Sequence, residues 1–164
     1  MRRFVPFVAT VAVALFAVAG QAGATAAPHF SRVSAHTSGN ELEIDFVERG
    51  LVPGQNYAYV ASSDKVTETY QCYRTSTFTP LAHKFRVSTF NTSPDVRGYT
   101  ADAAGVVRGF VFVTGVFSQV NGCAGPDREA VLVHISFTNY ELSDIFTHSF
   151  VDVTGTVSGP VEPD

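Results

Sequence analysis

The stretch ELEIDF, residues 41–46, alternates acidic and apolar side chains without interruption. Because successive side chains of a β-strand point to opposite faces, this alternation predicts a strand with one buried and one solvated face. Pro53-Gly54 follows a few residues later, and this dipeptide supplies the fixed φ and the positive φ of a type II turn. We therefore expect a strand that is followed by a tight turn.

The rest of the chain repeats this pattern of short β-prone segments separated by turn signals. Further strands are predicted at residues 57–61, 66–72, 83–90, 106–117, 130–138 and 146–156, with loops at residues 74–80, 91–98 and 121–127. Helical periodicity is weak everywhere. Short strands at this spacing predict an all-β fold, an antiparallel two-sheet sandwich of immunoglobulin-like architecture, with a closed β-barrel as the alternative.

Alternation also predicts which side chains of the strand at residues 130–138 point inward. They are Val131, Val133, Ile135 and Phe137, which turns His134 toward solvent. The same rule places Glu68 on one face of its strand together with Val66, Tyr70 and Cys72.

Cys72 and Cys123 are the only two cysteines of the chain. In an exported protein an even pair of cysteines predicts a disulfide. Closing a loop of about 50 residues would stabilise the fold by about 4 kcal/mol in the chain-entropy model. The chain has no Cys-x-x-Cys motif, so we interpret the pair as structural rather than redox-active.

The first residues have the three parts of a secretory signal. Arg2-Arg3 is a basic start, residues 4–20 are apolar, and the small residues Ala24-Thr25-Ala26 form the preferred cleavage site. Ala22-Gly23-Ala24 is a second possible site. The sequence therefore predicts a signal peptide at residues 1–26 and a secreted, extracellular protein.

Cleavage after Ala26 leaves a length that suits one domain. We expect a single β-sandwich domain at residues 27–157 and a flexible C-terminal tail at residues 158–164. Cleavage removes two of the 11 basic residues and none of the 15 acidic ones, so the formal net charge changes from −4 to −6. This charge and the lack of a basic stripe argue against nucleic acid as a partner.

Five segments of the chain resemble, in this order, a group of small bacterial secreted proteins of uncharacterised function. The segments are Val47-Glu48-Arg49-Gly50-Leu51, Tyr57, Tyr70-Gln71-Cys72, Asn121-Gly122-Cys123-Ala124-Gly125 and residues 135–144. The resemblance covers residues 42–144. It implies a signal peptide, a β-rich domain and one disulfide that joins Cys72 to Cys123, and it carries no catalytic or binding residues.

No sequence motif assigns a reaction, a cofactor or a metal to the chain. The Gly-x-Ser-x-Gly elbow, the His-Glu-x-x-His zinc motif and the glycine-rich phosphate loops are absent. His134 and His148 are the two histidines best placed to share a metal, although His134 is predicted to face solvent. The aspartates at positions 95, 102, 127, 144 and 152 are scattered and form no calcium loop.

Two functions from different classes fit these observations. The first is a non-catalytic binding or structural module that contacts an extracellular protein or a cell-envelope component, with no membrane contact after signal cleavage. A protein is favoured over a glycan because the chain has no Trp, which leaves only Tyr57, Tyr59, Tyr73, Tyr99 and Tyr140 to stack on sugars.

The second function is a secreted hydrolase or metal-dependent enzyme with an unrecognised site. In that enzyme His134 or His148 would meet Asp144 or Asp152 in a pocket. A protease inhibitor that uses the loop at residues 121–127 is a third possibility.

Overall fold

The computed structural model describes residues 26–117, 120 and 122–162. All of the predicted signal peptide except Ala26 lies outside these residues. The described chain forms nine strands: β1 (His29–Ser38), β2 (Glu41–Arg49), β3 (Asn56–Arg74), β4 (Thr79–Thr89), β5 (Thr92–Pro94), β6 (Arg97–Thr100), β7 (Val106–Gly115), β8 (Arg128–Asp144) and β9 (Phe150–Pro160). In this part of the chain no helix has the length and apolarity needed to cross a membrane.

The strands form two antiparallel sheets, which confirms the predicted sandwich. The four-stranded sheet has the order β1-β2-β7-β5. The five-stranded sheet has the order β4-β3-β8-β9, and β6 pairs with β3 beside this path. β6 and β4 lie on the same edge of β3, at its beginning and its end. β6 also contacts the four-stranded sheet, because the hydroxyl of Tyr99 is hydrogen-bonded to the backbone of Phe110 in β7.

The core lies between the two sheets and follows the alternation predicted for residues 41–46. Leu42, Ile44 and Phe46 of β2 are buried, and their acidic neighbours are not. Ile135 and Phe137 of β8 bury their side chains from the opposite sheet. Burial of one such side chain contributes about 1.5–3 kcal/mol, so these positions carry much of the stability.

The longest strand joins two segments that were predicted to be separate. Residues 57–61 and 66–72 both belong to β3, because the polar residues between them pair with β8. Ser63, for example, lies opposite Tyr140 and donates its hydroxyl to the carbonyl of Thr138 at 3.0 Å. The partner strand therefore satisfies the polar groups that made this stretch resemble a break.

Several other predicted boundaries differ from the structure. The loop predicted at residues 91–98 contains β5 and the start of β6. The last strand begins at Phe150 instead of residue 146, and it continues through residues 158–160, which places the predicted domain boundary at residue 157 inside a strand. Gly159 pairs with Ile135 and is buried, so this end of the chain belongs to the sheet. Residues 163–164 lie outside the described part.

The inward pattern of β8 holds for only part of the strand. Ile135 and Phe137 are fully buried, whereas Val131 and Val133 are half-buried. The pairing between β3 and β8 shifts at this point, since Thr69 lies opposite His134 and the next residue of β3 lies opposite Leu132. A β-bulge of this kind reorients the residues that follow it, which strict alternation does not anticipate.

The structure contains the disulfide between Cys72 and Cys123. Cys72 is buried at the end of β3, and Cys123 precedes β8 in the chain. Their Cα atoms are 5.7 Å apart, and 51 positions separate them in sequence. The bond therefore ties the segment between β7 and β8 to the five-stranded sheet.

Candidate binding site

The turn that joins β8 to β9 presents large apolar side chains to solvent. Ile145 is 45% exposed, and Phe146 and Phe150 are each 65% exposed. Phe146 and Phe150 are four positions apart in sequence, and exposed apolar side chains that form a contiguous patch are typical of contact sites. We call residues 145–150 the apolar turn.

A buried aspartate at the end of β8 holds the apolar turn in one conformation. Asp144 is 1% exposed. Its Oδ1 accepts a hydrogen bond from the backbone N–H of Phe146 at 2.9 Å, and its Oδ2 accepts one from the hydroxyl of Thr147 at 2.8 Å. Such bonds from a short side chain to its own backbone are what make Asp a turn-forming residue.

Backbone hydrogen bonds close the same turn. The amide of Asp144 donates to the carbonyl of Ser149 at 2.9 Å, and the amide of His148 donates to the carbonyl of Asp144 at 3.0 Å. The amide of Ile145 donates to the carbonyl of Ala58 in β3 at 2.9 Å, which joins the turn to the sheet. His148 has a φ of 59°, a left-handed conformation that this tight connection requires.

A second buried carboxylate reaches the turn from the opposite sheet. Glu48 of β2 is fully buried. Its Oε2 accepts a hydrogen bond from the hydroxyl of Tyr59 at 2.7 Å, and its Oε1 accepts one from the hydroxyl of Ser149. One side chain of the four-stranded sheet thus binds both β3 and the end of the apolar turn.

Burial dominates the electrostatics of this cluster. It raises the pKa of Glu48 above its ordinary value, and the nearby charge of Asp144 acts in the same direction, while the hydrogen bonds from Ser149 and Tyr59 oppose the change. Burial also raises the pKa of Tyr59, with a further contribution from its hydrogen bond to Glu48. The Tyr59 phenol therefore stays protonated and acts as a donor.

No buried side-chain nitrogen or oxygen in the described residues lacks a hydrogen-bond partner. A fully satisfied buried network restricts the conformations of the residues that it connects. Hydrogen bonds to Asp144 and Glu48 therefore restrain the apolar turn from the interior, while its Ile145, Phe146 and Phe150 side chains remain exposed. This combination lowers the conformational entropy lost on binding and favours a contact role.

Two acidic residues lie on the exposed face beside the apolar turn. Glu141 of β8 and Asp152 of β9 are directly opposite each other, and Phe150 lies two residues from Asp152 on the same face, opposite Ser143. Within the described part of the chain neither carboxylate forms an ion pair. Like charges in directly opposed positions repel, so a cationic group from outside would stabilise this pair.

The histidines singled out in the sequence do not form the arrangement that an enzyme of the alternative kind would need. His134 is exposed in β8, and His148 is exposed in the apolar turn. Neither imidazole forms a hydrogen bond or an ion pair with the carboxylate of Asp144 or Asp152. Among the described residues, no group of three or more His, Cys, Asp or Glu side chains is arranged to hold a metal ion.

The tyrosines considered for sugar stacking are mostly interior. Tyr57, Tyr59 and Tyr140 are buried. Tyr73 stacks on Phe78 with ring centroids 4.7 Å apart, and the hydroxyl of Tyr99 is bonded to the backbone of Phe110. The loop predicted at residues 121–127 contains position 121, which lies outside the described residues.

The sequence interpretation named Asp144 only as a possible partner of a histidine, and it missed the burial of both Glu48 and Asp144. Glu48 continues the inward phase of Leu42, Ile44 and Phe46, and Asp144 continues the inward phase of Leu142. An acidic residue at an inward position of a regular strand is the signal that could have identified both. Comparison with models of protein families, with curated proteins and with solved structures found no match.

Proposed function

We propose that this protein is a secreted, non-catalytic binding module that contacts a protein partner through the apolar turn. The observation that carries the proposal is the exposure of Phe146 and Phe150 on a turn that Asp144 and Glu48 hold from within. The disulfide supports export, because such bonds persist in oxidising compartments. The basic and apolar start of the chain supports it too.

Charge supports a protein partner over a lipid surface. Bacterial and plasma-membrane surfaces carry negative charge, which Glu141 and Asp152 beside the turn would oppose. A protein pocket lined by apolar side chains and flanked by Lys or Arg would complement both the aromatic rings and the two carboxylates. We therefore propose a partner whose contact surface is apolar at the centre and basic at the rim.

The test compares three immobilised proteins, each purified from culture medium. They are the wild type, the double variant F146S/F150S, and the variant F90S, in which a phenylalanine that is 75% exposed after β4 is replaced. Extracellular and envelope fractions are passed over each, and any retained protein is purified and titrated. We expect the partner to bind the wild type and F90S equally and F146S/F150S at least about tenfold more weakly.

A charge-reversal variant then tests the stated chemistry of the partner. E141K/D152K should weaken binding of the same partner by about tenfold, and the loss should shrink at high salt. Equal retention by the wild type and F146S/F150S would refute the apolar turn as the contact surface. Two further results would refute a protein partner of this kind. Binding to phosphatidylcholine or phosphatidylglycerol vesicles that depends on the two phenylalanines would indicate a membrane as the partner. Self-association in sedimentation that depends on them would indicate a second copy of the chain.

A further inference from the structure

The outer face of the four-stranded sheet, on the side opposite to Glu48 and the core, carries a second surface feature. Two neighbouring cross-strand rows face solvent there, one formed by Arg32, Val47 and Arg108 and the next by Ser34, Asp45 and Phe110. All six residues line a depression of about 450 Å³. That volume is enough for one monosaccharide-sized ligand.

The two arginines supply positive charge with donor groups to spare. Arg32 forms no hydrogen bond or ion pair with the described residues of the chain. Arg108 uses Nη1 to bind Asp102 at 3.0 Å, and its side chain is 61% exposed. A guanidinium matches the planar, two-oxygen geometry of a carboxylate and can bind it with two parallel hydrogen bonds.

Asp45 and Ser34 add groups of the opposite character to the same depression. The Asp45 carboxylate lies 3.6 Å from the imidazole of His36 and remains half exposed. Carboxylate and serine oxygens can accept hydrogen bonds from ligand hydroxyls. The charge of Asp45 also disfavours a doubly charged anion such as phosphate more than a singly charged carboxylate.

Phe110 forms an apolar wall of the depression. It is 36% exposed, and the guanidinium of Arg97 lies 4.6 Å from the centre of its ring. Arg97 covers part of the ring and holds it in place. The remaining ring surface can contact the C–H groups of a sugar ring.

We propose that this depression binds an acidic sugar, a pyranose that carries one carboxylate. Arg32 and Arg108 bind the carboxylate, Asp45 and Ser34 accept hydrogen bonds from the hydroxyls, and Phe110 contacts the ring. The inference is independent of the proposed function, because it concerns the other sheet and a different class of ligand.

The test titrates the isotope-labelled full protein with D-glucuronate, D-glucose and inorganic phosphate, and follows amide resonances of β1, β2 and β7. We expect glucuronate to bind with a Kd of about 1 mM, and glucose and phosphate at least about tenfold more weakly. R32Q should weaken glucuronate binding about tenfold. R86Q, which changes an exposed arginine of β4 in the other sheet, should leave it unchanged.

The variant D45N distinguishes a sugar site from a plain anion site. It should raise the affinity for phosphate relative to that for glucuronate, because the removed charge repels a doubly charged anion more strongly and the removed carboxylate is a strong acceptor for the sugar hydroxyls. Glucose binding as tight as glucuronate binding, phosphate binding tighter than glucuronate binding, or R32Q binding like the wild type would each overturn the proposal. Resonances of the apolar turn should not move in any titration, which keeps this result separate from that of the proposed function.

Discussion

The hydroxyl of Tyr59 donates a hydrogen bond to Glu48 across the interface of the two sheets, with 2.7 Å between the oxygens. Both side chains are fully buried, in a core that is otherwise mostly apolar. A buried carboxylate without a partner is costly, so this bond holds the sheets in one relative position around the turn.

Removal of the Tyr59 hydroxyl should therefore destabilise the fold. We expect Y59F to lower the free energy of unfolding by about 1–3 kcal/mol, because Glu48 loses one of its two hydroxyl donors. Urea denaturation measures this value. Y73F is the matched control, since Tyr73 is half-buried against Phe78 and its hydroxyl makes no hydrogen bond in the described structure. An equal loss in the two variants would contradict this role for Tyr59.

The raised pKa of Glu48 predicts a specific pH dependence of stability. The folded state binds the proton more tightly than the unfolded state, whose pKa is close to the ordinary value of 4.5. The contribution of Glu48 to stability is thus fully present below that value and is lost as pH rises through the raised pKa of the folded state. Glu68, whose pKa is also raised by burial, acts in the same direction.

Asp102 changes the pH dependence of stability in the opposite direction, because a backbone hydrogen bond from Val106 holds its pKa below the ordinary value.

The contribution of Glu48 is therefore isolated by comparing the wild type with E48Q across acidic and neutral pH, by urea denaturation at each pH. Whatever its absolute stability, E48Q should lose less stability than the wild type as pH rises above 4.5. Parallel curves would show that Glu48 does not titrate in this way.

Asp144 should control the local stability of the apolar turn. D144A removes the acceptor of the Phe146 amide, so hydrogen exchange at this amide should become about tenfold faster or more. D152N, which alters an exposed carboxylate of β9, should leave that exchange rate unchanged. The measurement is amide exchange by NMR, and an unaffected Phe146 amide in D144A would mean that the backbone bonds alone hold the turn.

Loss of the disulfide should lower stability by about 4 kcal/mol in the chain-entropy model. The double variant C72A/C123A tests this without leaving a free thiol. Its denaturation midpoint should fall well below that of the oxidised wild type and close to that of the wild type in reducing agent. An unchanged midpoint would mean that the unfolded chain is already compact around this loop.

Gly109 allows an aromatic ring to cover the edge of β7. A Cβ atom at this position would lie 2.7 Å from Cε1 of Tyr99. The hydroxyl of Tyr99 donates to the carbonyl of Phe110 at 2.6 Å and accepts a hydrogen bond from its amide at 3.0 Å. Among the described strands, β5 pairs with this edge of β7 only at residues 113–115.

G109A should therefore cost about 1–3 kcal/mol of stability, because the ring must shift. In the control G98A the new Cβ would meet only the carbonyl oxygen of Tyr57 at 3.9 Å, so the change should be small. Equal unfolding free energies for G109A and G98A would show that the ring of Tyr99 can move without loss.

Much of the fold could be predicted from local pattern, and the site could not. Alternation identifies β2 because each of its residues has an environment set by the pleat. The polar residues 62–65 resembled a break because their hydrogen-bond partners belong to β8, more than 70 positions later in the chain. The mixture of apolar and polar residues at positions 146–156 predicts a strand that begins at Phe146, whereas Asp144 folds the start of this segment into a turn.

The sequence alone determined the all-β class and the cysteine pair and favoured an antiparallel sandwich over a closed barrel, because side-chain alternation, turn residues and cysteine count are local properties of the chain. Only the tertiary structure decided that Glu48 and Asp144 lie together in the interior beneath an exposed aromatic turn. Their positions in the chain are almost a hundred residues apart, and the packing of one sheet on the other brings them together.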